Sequence, residues 1–202
     1  MNNTKKYIKN FYDKNAEKWI SKKVDSFHHE TPFRKFEKLL KPGDRVVDIG
    51  CAGGIHVPLF LGIGRKLKYE GIDISKSMIK IAKLRYPQLP FSVSDISVFK
   101  PKKKFAGFWA AAVLMHLTED ERDQAFSAIE KMTQPGAVGY ITLPMMRPGP
   151  ATETDQRHFT LYSQDEFINL IKKRSWKVIA SGNLDSSAGA PIWNWYIVKL
   201  PK

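Results

Sequence analysis

The stretch that most constrains what this chain can fold into is Arg45–Phe60, RVVDIGCAGGIHVPLF. Val46, Val47 and Ile49 form a short apolar run rich in β-branched residues, which reads as a buried strand. Asp48 sits near the end of that strand. Gly50, Ala52 and Gly54 follow at alternate positions, and the apolar segment after them reads as helix. A strand, a small-residue turn and a helix let backbone approach a ligand closely and aim helix N–H groups at it. An ordinary tight turn has the same pattern, so the next strand matters. Gly71-Ile72-Asp73 closes a second apolar strand about 20 residues on, the separation at which an acid reaches ribose hydroxyls in a nucleotide-binding α/β unit.

VVDIGCAGG, then GIDIS, FSVSDIS and FAGFWAAAVLMHL, resemble in order and spacing the motif series of class I S-adenosylmethionine-dependent methyltransferases, in their small-molecule branch. The resemblance covers residues 40–143 and is weaker from His158 onward. A dinucleotide dehydrogenase would more typically carry Gly where Ala52 stands. The resemblance implies an α/β fold: a doubly wound three-layer sandwich with a Rossmann-like, seven-stranded, mostly parallel sheet whose last strand is antiparallel. It implies S-adenosylmethionine as cofactor and a small-molecule acceptor with an O, N or S nucleophile. Residues 1–202 then read as one methyltransferase domain, with a helical lid over 1–40, a cofactor-binding core over 41–143, and a substrate loop with closing strands over 144–202.

Carried over residue by residue, the resemblance puts Asp48, Gly50, Cys51, Ala52 and Gly54 in the cofactor loop. Asp73 takes the ribose, Ile74 and Met78 pack near the adenine, Asp95 receives its amino group, and Ile96 supplies a backbone N–H. Ala110 offers a carbonyl to the cofactor's ammonium. The family's usual Asp is replaced here by Ala106, near the strand start, away from that contact. In YDKNAEKW, Tyr12 is a candidate contact for the methionyl end and Trp19 a candidate wall of the substrate pocket; both also fit a core-facing stripe. His116 is the candidate general base, or a structural histidine that orders its loop. Pro144–Arg157 is a loop rich in Pro, Gly and Thr, leaving the carboxyl edge of the fifth strand. It makes Arg147, Arg157 and His158 candidate substrate contacts. Arg157 either anchors an anionic acceptor or fixes the loop through a salt bridge.

Local signals mark the remaining elements. Residues 4–23 read as an amphipathic helix on a Lys-rich background, suited to a lid or to a membrane surface. Thr31-Pro32 reads as a helix start, running to Leu40. Thr118 with Glu121, and Ser163 with Glu166, form capping-box patterns for helices over 119–132 and 163–173. Pro135-Gly136 turns the chain into a strand over 137–143, and 176–180 and 191–200 read as closing strands. His28-His29-Glu30 reads as a solvated linker. Adjacent histidines point apart and no His-x3-His spacing exists, so no metal site is expected.

Residues 1–104 hold 23 of the 33 Lys and Arg but only 10 of the 20 Asp and Glu, so the whole net charge of +13 lies in that half. A basic half suits an acidic partner, which makes an RNA or tRNA methyltransferase the second reading. The basic residues are mostly Lys, whereas Arg favours bidentate phosphate contacts. A third reading is a non-catalytic cofactor-binding subunit, since no residue is an unambiguous catalyst. Cytosine C5 methylation needs a nucleophilic cysteine, and the one cysteine, Cys51, lies in the cofactor loop. The Asn/Asp-Pro-Pro-aromatic motif of amino-directed DNA and protein methyltransferases is missing. One cysteine, no apolar run after the first lysines and no apolar run long enough to span a bilayer lead to the expectation of a cytoplasmic protein.

Overall fold

The computed structural model describes residues 3–22, 29–62, 65–145, 156–184 and 193–202. A long helix, α1 (Asn3–Lys22), comes first, followed by α2 (Glu30–Glu37). Strands and helices then alternate: β1 (Arg45–Ile49), α3 (Val57–Gly62), β2 (Lys68–Asp73), α4 (Lys76–Arg85), β3 (Phe91–Val93) and β4 (Phe105–Ala111). A 3-10 turn (Leu114–His116) leads into α5 (Glu119–Met132), β5 (Thr133–Pro144), α6 (Gln164–Lys173), β6 (Lys177–Leu184) and β7 (Trp193–Lys199).

The strands form one seven-stranded sheet in the order β3-β2-β1-β4-β5-β7-β6. All neighbours run parallel except β7, which is antiparallel to both β5 and β6. Pairing between Val46 and Gly107 puts β1 beside β4, and there the winding reverses. Chain connections leave β1 toward one face and β4 toward the other. A crevice therefore opens past the carboxyl ends of these two strands.

Period-2 alternation divides β4 between two cores. Phe108 and Ala110 pack with Phe126, Ile129 and Trp176 beneath α5 and α6. Trp109 and Ala111 pack with Phe33, Phe36 and Tyr140 beneath α2, α3 and α4. Trp109 stacks on Tyr140 with ring centroids 3.6 Å apart. Phe108 lies flat over Gly139 on the next strand, where any Cβ would stand 2.0 Å from its ring. Full burial of such a ring contributes about 2–3 kcal/mol.

The capping boxes of α5 and α6 are present at Thr118 with Glu121 and Ser163 with Glu166. The start of α2 differs from the Thr31-Pro32 reading. Its cap position is His29, whose side chain makes no capping bond, and its first residue is Glu30. Pro32 is then the third helical residue, where an N–H would have no helical partner anyway. The Glu30 carboxylate pairs with Arg34 one turn on, at 2.7 Å. α2 ends at Glu37, and tighter turns from Phe36 and Glu37 carry the chain to Leu40. β5 begins at Thr133 rather than at 137, since Phe105 pairs with Thr133 before a register shift. Gly136, at φ +74°, lies in that irregularity. No described helix is long and apolar enough to cross a membrane.

Candidate active site

The β1–α3 loop is held against the end of β2. Gly50 N and Cys51 N both donate to Ile72 O, at 2.8 and 3.0 Å. Gly50 sits at φ +69°, and a Cβ there would stand 2.7 Å from Val113 Cγ2. Ala52, at φ +48°, occupies the left-handed region despite its Cβ, a cost of about 1–2 kcal/mol. Its N–H donates to Asp73 Oδ2 at 2.9 Å, which holds the strained turn in place. Asp73 Oδ1 accepts from Ser75 N at 2.8 Å, while Ser75 Oγ caps α4 by accepting from Met78 N. Ser75 is thus the helix cap, and the Asp73 carboxylate ties the loop to the strand end. Enclosure pushes the Asp73 carboxyl up to about 6, against the lowering effect of the Ser75 and Ala52 amides. It remains ionised above that pH.

These groups line a cavity of about 360 Å³ at the carboxyl edge of the sheet. α1 covers it. Asp13 of α1 accepts from Ser75 Oγ at 2.6 Å and from Ser77 N at 3.1 Å, and pairs with Lys9. Burial alone would raise the Asp13 carboxyl, but the bonds from Lys9 and Ser75 hold it below the usual range. Nearer the start of α1, Lys5 Nζ pairs with Asp95 Oδ2 at 2.7 Å. The other Asp95 oxygen accepts from Ser97 N and Ser97 Oγ. Burial opposes ionisation of Asp95, yet Lys5 and Ser97 hold its carboxyl low.

A hydrogen-bonded chain crosses the cavity wall. His116 Nδ1 lies 2.9 Å from His158 O, an acceptor only, so Nδ1 carries a proton. In the neutral ring Nε2 is then an acceptor, and the Tyr12 hydroxyl, 2.9 Å away, donates to it. Arg157 donates to the Tyr12 oxygen at 3.1 Å. The Arg157 guanidinium is itself buried among rings, 4.5 Å from the Phe11 centroid and 5.1 Å from that of Trp19.

Of the residues singled out in the sequence, Tyr12, Trp19, Gly50, Ala52, Asp73, Ile74, Met78, Asp95, Ile96, His116 and Arg157 share this one cavity. Asp48, Cys51, Gly54, Ala110 and His158 are not on its wall. Asp48 lies buried behind the loop, its Oδ2 accepting from Tyr69 OH at 2.9 Å. Burial, helped by the charge of Asp73, pushes the Asp48 carboxyl up to about 8, so it is protonated at neutral pH. Burial also pushes the Cys51 thiol up, so Cys51 is no nucleophile. Ala110 points into the core, and the cavity edge falls at Ala111 and Ala112. The His158 ring turns to Thr160 Oγ1 at 2.8 Å and faces a separate shallow hollow beside Tyr7. Arg147 lies outside the described residues.

The sequence reading missed several wall residues. His29, placed in a solvated linker, lines the cavity, with Nδ1 2.8 Å from Tyr140 OH. Burial pushes the Tyr140 phenol up, so that hydroxyl stays protonated. His56 packs beside His29, ring centroids 5.0 Å apart. Trp193 and Thr142, on strands read from the sequence without any site role for these two residues, also line the cavity. No sequence signal announced His29, because only folding places it against β5. Among the described residues, no group of three or more metal-ligating side chains comes together.

Residues 46–136 match the family model described as a methyltransferase domain. Over that segment the chain is similar to this family. The fold is shared with solved methyltransferase structures. A 1,6-didemethyltoxoflavin-N1-methyltransferase of Burkholderia thailandensis superposes with a TM-score of 0.81 at 14% identity, over 100% of this chain and 92% of that one. In sequence, the chain is 29% identical over 136 residues to putative methyltransferase 235L of Invertebrate iridescent virus 6, covering 66% of this chain and 44% of that protein. It is 32% identical over 109 residues to trans-aconitate 2-methyltransferase of Variovorax paradoxus strain S110, covering 52% and 40%. The chain thus spans less than half the length of these two curated relatives.

Proposed function

We propose that this chain transfers the methyl group of S-adenosylmethionine to a small-molecule acceptor. The observation that carries the reading is the single cavity at the switch point of the sheet, walled by the strained β1–α3 loop and by Asp73 and Asp95. The residues present fit the cofactor. Asp73 presents an ionised carboxylate at the strand end, suited to two vicinal hydroxyls. Ile74, Met78 and Ile96 form an apolar slot suited to a purine, with Asp95 as an acceptor at its rim. Gly50, kept bare by Val113 beside it, lines the cavity with backbone, and Tyr12 closes the cavity from α1. Bound there, the sulfonium supplies an already activated methyl group.

The protein's work is then alignment and exclusion of water. α1, tied down through Asp13 and Lys5, shields the cavity. Where the acceptor atom carries a proton, His116 is the base candidate, acting through Tyr12, whose hydroxyl already points at Nε2. Arg157, Trp19, His29 and Trp193 form the end of the wall assigned to the acceptor, and the guanidinium supports an anionic one. The Burkholderia enzyme of the same fold was crystallised with 1,6-didemethyltoxoflavin and S-adenosylhomocysteine, which supports the same division here. Arg147 belongs to the same proposal as a second basic contact. The parts of this reading are a lid over 1–40, a core over 41–143 and a substrate segment over 144–202, in a cytoplasmic protein.

Calorimetric titration with S-adenosylmethionine and S-adenosylhomocysteine tests the reading. Micromolar binding of both is expected, followed by transfer of labelled methyl to a member of an acceptor panel rich in small carboxylated compounds. A folded protein that binds neither ligand overturns it.

A further inference from the structure

The positive charge of this chain collects at one edge of the sheet. In a doubly wound fold the parallel strands begin at the edge where the crossing helices end, opposite the ligand crevice. Lys68 opens β2, Lys177 opens β6, Lys199 closes the antiparallel β7, and Lys102, Lys103 and Lys104 lead into β4. All six are exposed and stand at that edge. Lys131 and Lys173 close α5 and α6 there too. Cations at helix carboxyl ends complement the helix dipole. The lysines at strand starts have no such cause.

Few acids stand at this edge, and Asp44 among them accepts from the Lys41 N–H. Glu70 pairs with Arg45 and Glu130 with Arg174, each at 2.7 Å. None of the eight lysines is in an ion pair among the described residues. The first-turn acids of α5 and α6, Glu119, Asp120 and Asp165, lie at the opposite edge. At that edge these acids stand with the lysines of α1, two of which, Lys5 and Lys9, are ion-paired, whereas the lysines at the strand starts have no such counterweight.

Exposed leucines stand among these lysines. Leu39 just past α2, Leu61 in α3 and Leu84 in α4 are 46%, 56% and 74% exposed. Each lies at or just past the carboxyl end of its helix, on the same face of the sheet, and Leu39 and Leu84 directly follow Lys38 and Lys83 in the chain. Seven strands at about 4.8 Å spacing make the edge about 30 Å wide. A broad cationic edge with projecting aliphatic side chains matches the chemistry of an anionic bilayer surface. Nucleic acid fits less well. The cations are mostly Lys rather than the bidentate Arg, and no described Phe, Tyr or Trp is exposed to stack on bases.

We propose that this edge docks on anionic lipid headgroups, with the lysines over the headgroup charges and the three leucines entering the interface. The cavity then opens away from the lipid, toward water.

Sedimentation with vesicles tests this directly. Vesicles of phosphatidylcholine with about 30% phosphatidylserine are expected to bind at least tenfold more tightly than phosphatidylcholine alone, and raising the salt weakens that binding. Lys102→Glu/Lys103→Glu/Lys104→Glu is expected to lose at least tenfold. Leu39→Ser/Leu84→Ser is expected to lose severalfold while keeping the salt dependence. Unchanged thermal unfolding midpoints show that the variants fold. Equal binding to both vesicle types, no binding to either, or no effect of the lysine reversal in a folded variant overturns the proposal. Tighter binding of a 20-nucleotide RNA than of the anionic vesicles also overturns it.

Discussion

Asp73→Asn isolates the charge on the carboxylate at the centre of the cavity wall. The amide oxygen can keep the Ala52 N–H, now 2.9 Å from Asp73 Oδ2, so the strained turn retains its tie, while the Ser75 N–H loses its acceptor to the amide NH2, a cost to the loop that thermal unfolding reads separately. What is lost is the charge that strengthens bonds from two ribose hydroxyls. Charge-assisted hydrogen bonds contribute about 1.5–3 kcal/mol each, against about 0.5–1.5 for neutral ones. Losing that difference twice weakens binding by about 2 kcal/mol, or ~30-fold in the dissociation constant of S-adenosylhomocysteine at pH 7.5. The pH dependence makes the test sharper. Asp73 titrates at about 6 in the unliganded protein, and the hydroxyls prefer its ionised form. At pH 5 about one tenth of the carboxyl is ionised, so wild-type affinity falls about tenfold while the variant is unaffected. The gap between the two proteins then narrows to about threefold. Calorimetry at both pH values measures this. A gap below threefold at pH 7.5, or one that does not shrink on acidification, would refute the role given to Asp73.

Two further substitutions test the scaffold beneath the site. Asp48 titrates at about 8 in the folded protein against 3.8 as a free side chain, so folding is most favoured below the lower value and weakens as pH rises to the upper one. Asp48→Asn removes that dependence and is expected to be about 2–4 kcal/mol more stable than wild type at pH 8, with the advantage gone near pH 4; urea unfolding at the two pH values decides, and parallel pH dependence in both proteins would count against a buried neutral acid. Gly50→Ala places a Cβ at φ +69°, 2.7 Å from Val113 Cγ2. It is expected to cost about 2 kcal/mol, lower the thermal midpoint by several degrees and weaken S-adenosylhomocysteine binding, so an unchanged midpoint would show that the loop is not held as described.

Much of the fold was legible because its signals are local. The β1 run, the small residues after it and the acid ending β2 are read within one stretch, and hydrogen bonds from Gly50 and Cys51 to Ile72 join them across neighbouring strands. The helices over 119–132 and from 163 announce themselves through side chains three residues apart. The α2 start was misread for the opposite reason. Thr31-Pro32 has the local chemistry of a cap, yet His29 is fixed by Tyr140, more than a hundred residues on, and the helix begins from that anchor.

The sequence by itself supplied the candidate binding residues: a glycine turn, two acids at strand ends and an aromatic N-terminal helix. It also determined the excess of lysine. Only the tertiary structure decided who faces whom. Alternation along β4 sends Ala110 into the core and Ala111 to the cavity, a one-residue difference that motif spacing does not resolve. Tyr12, His116 and Arg157 meet because α1 lies across the carboxyl edge, and their hydrogen bonds link residues 104 and 145 positions apart. Lysines scattered along the chain become one charged edge because the parallel strands begin together there, a consequence of topology that no linear count contains.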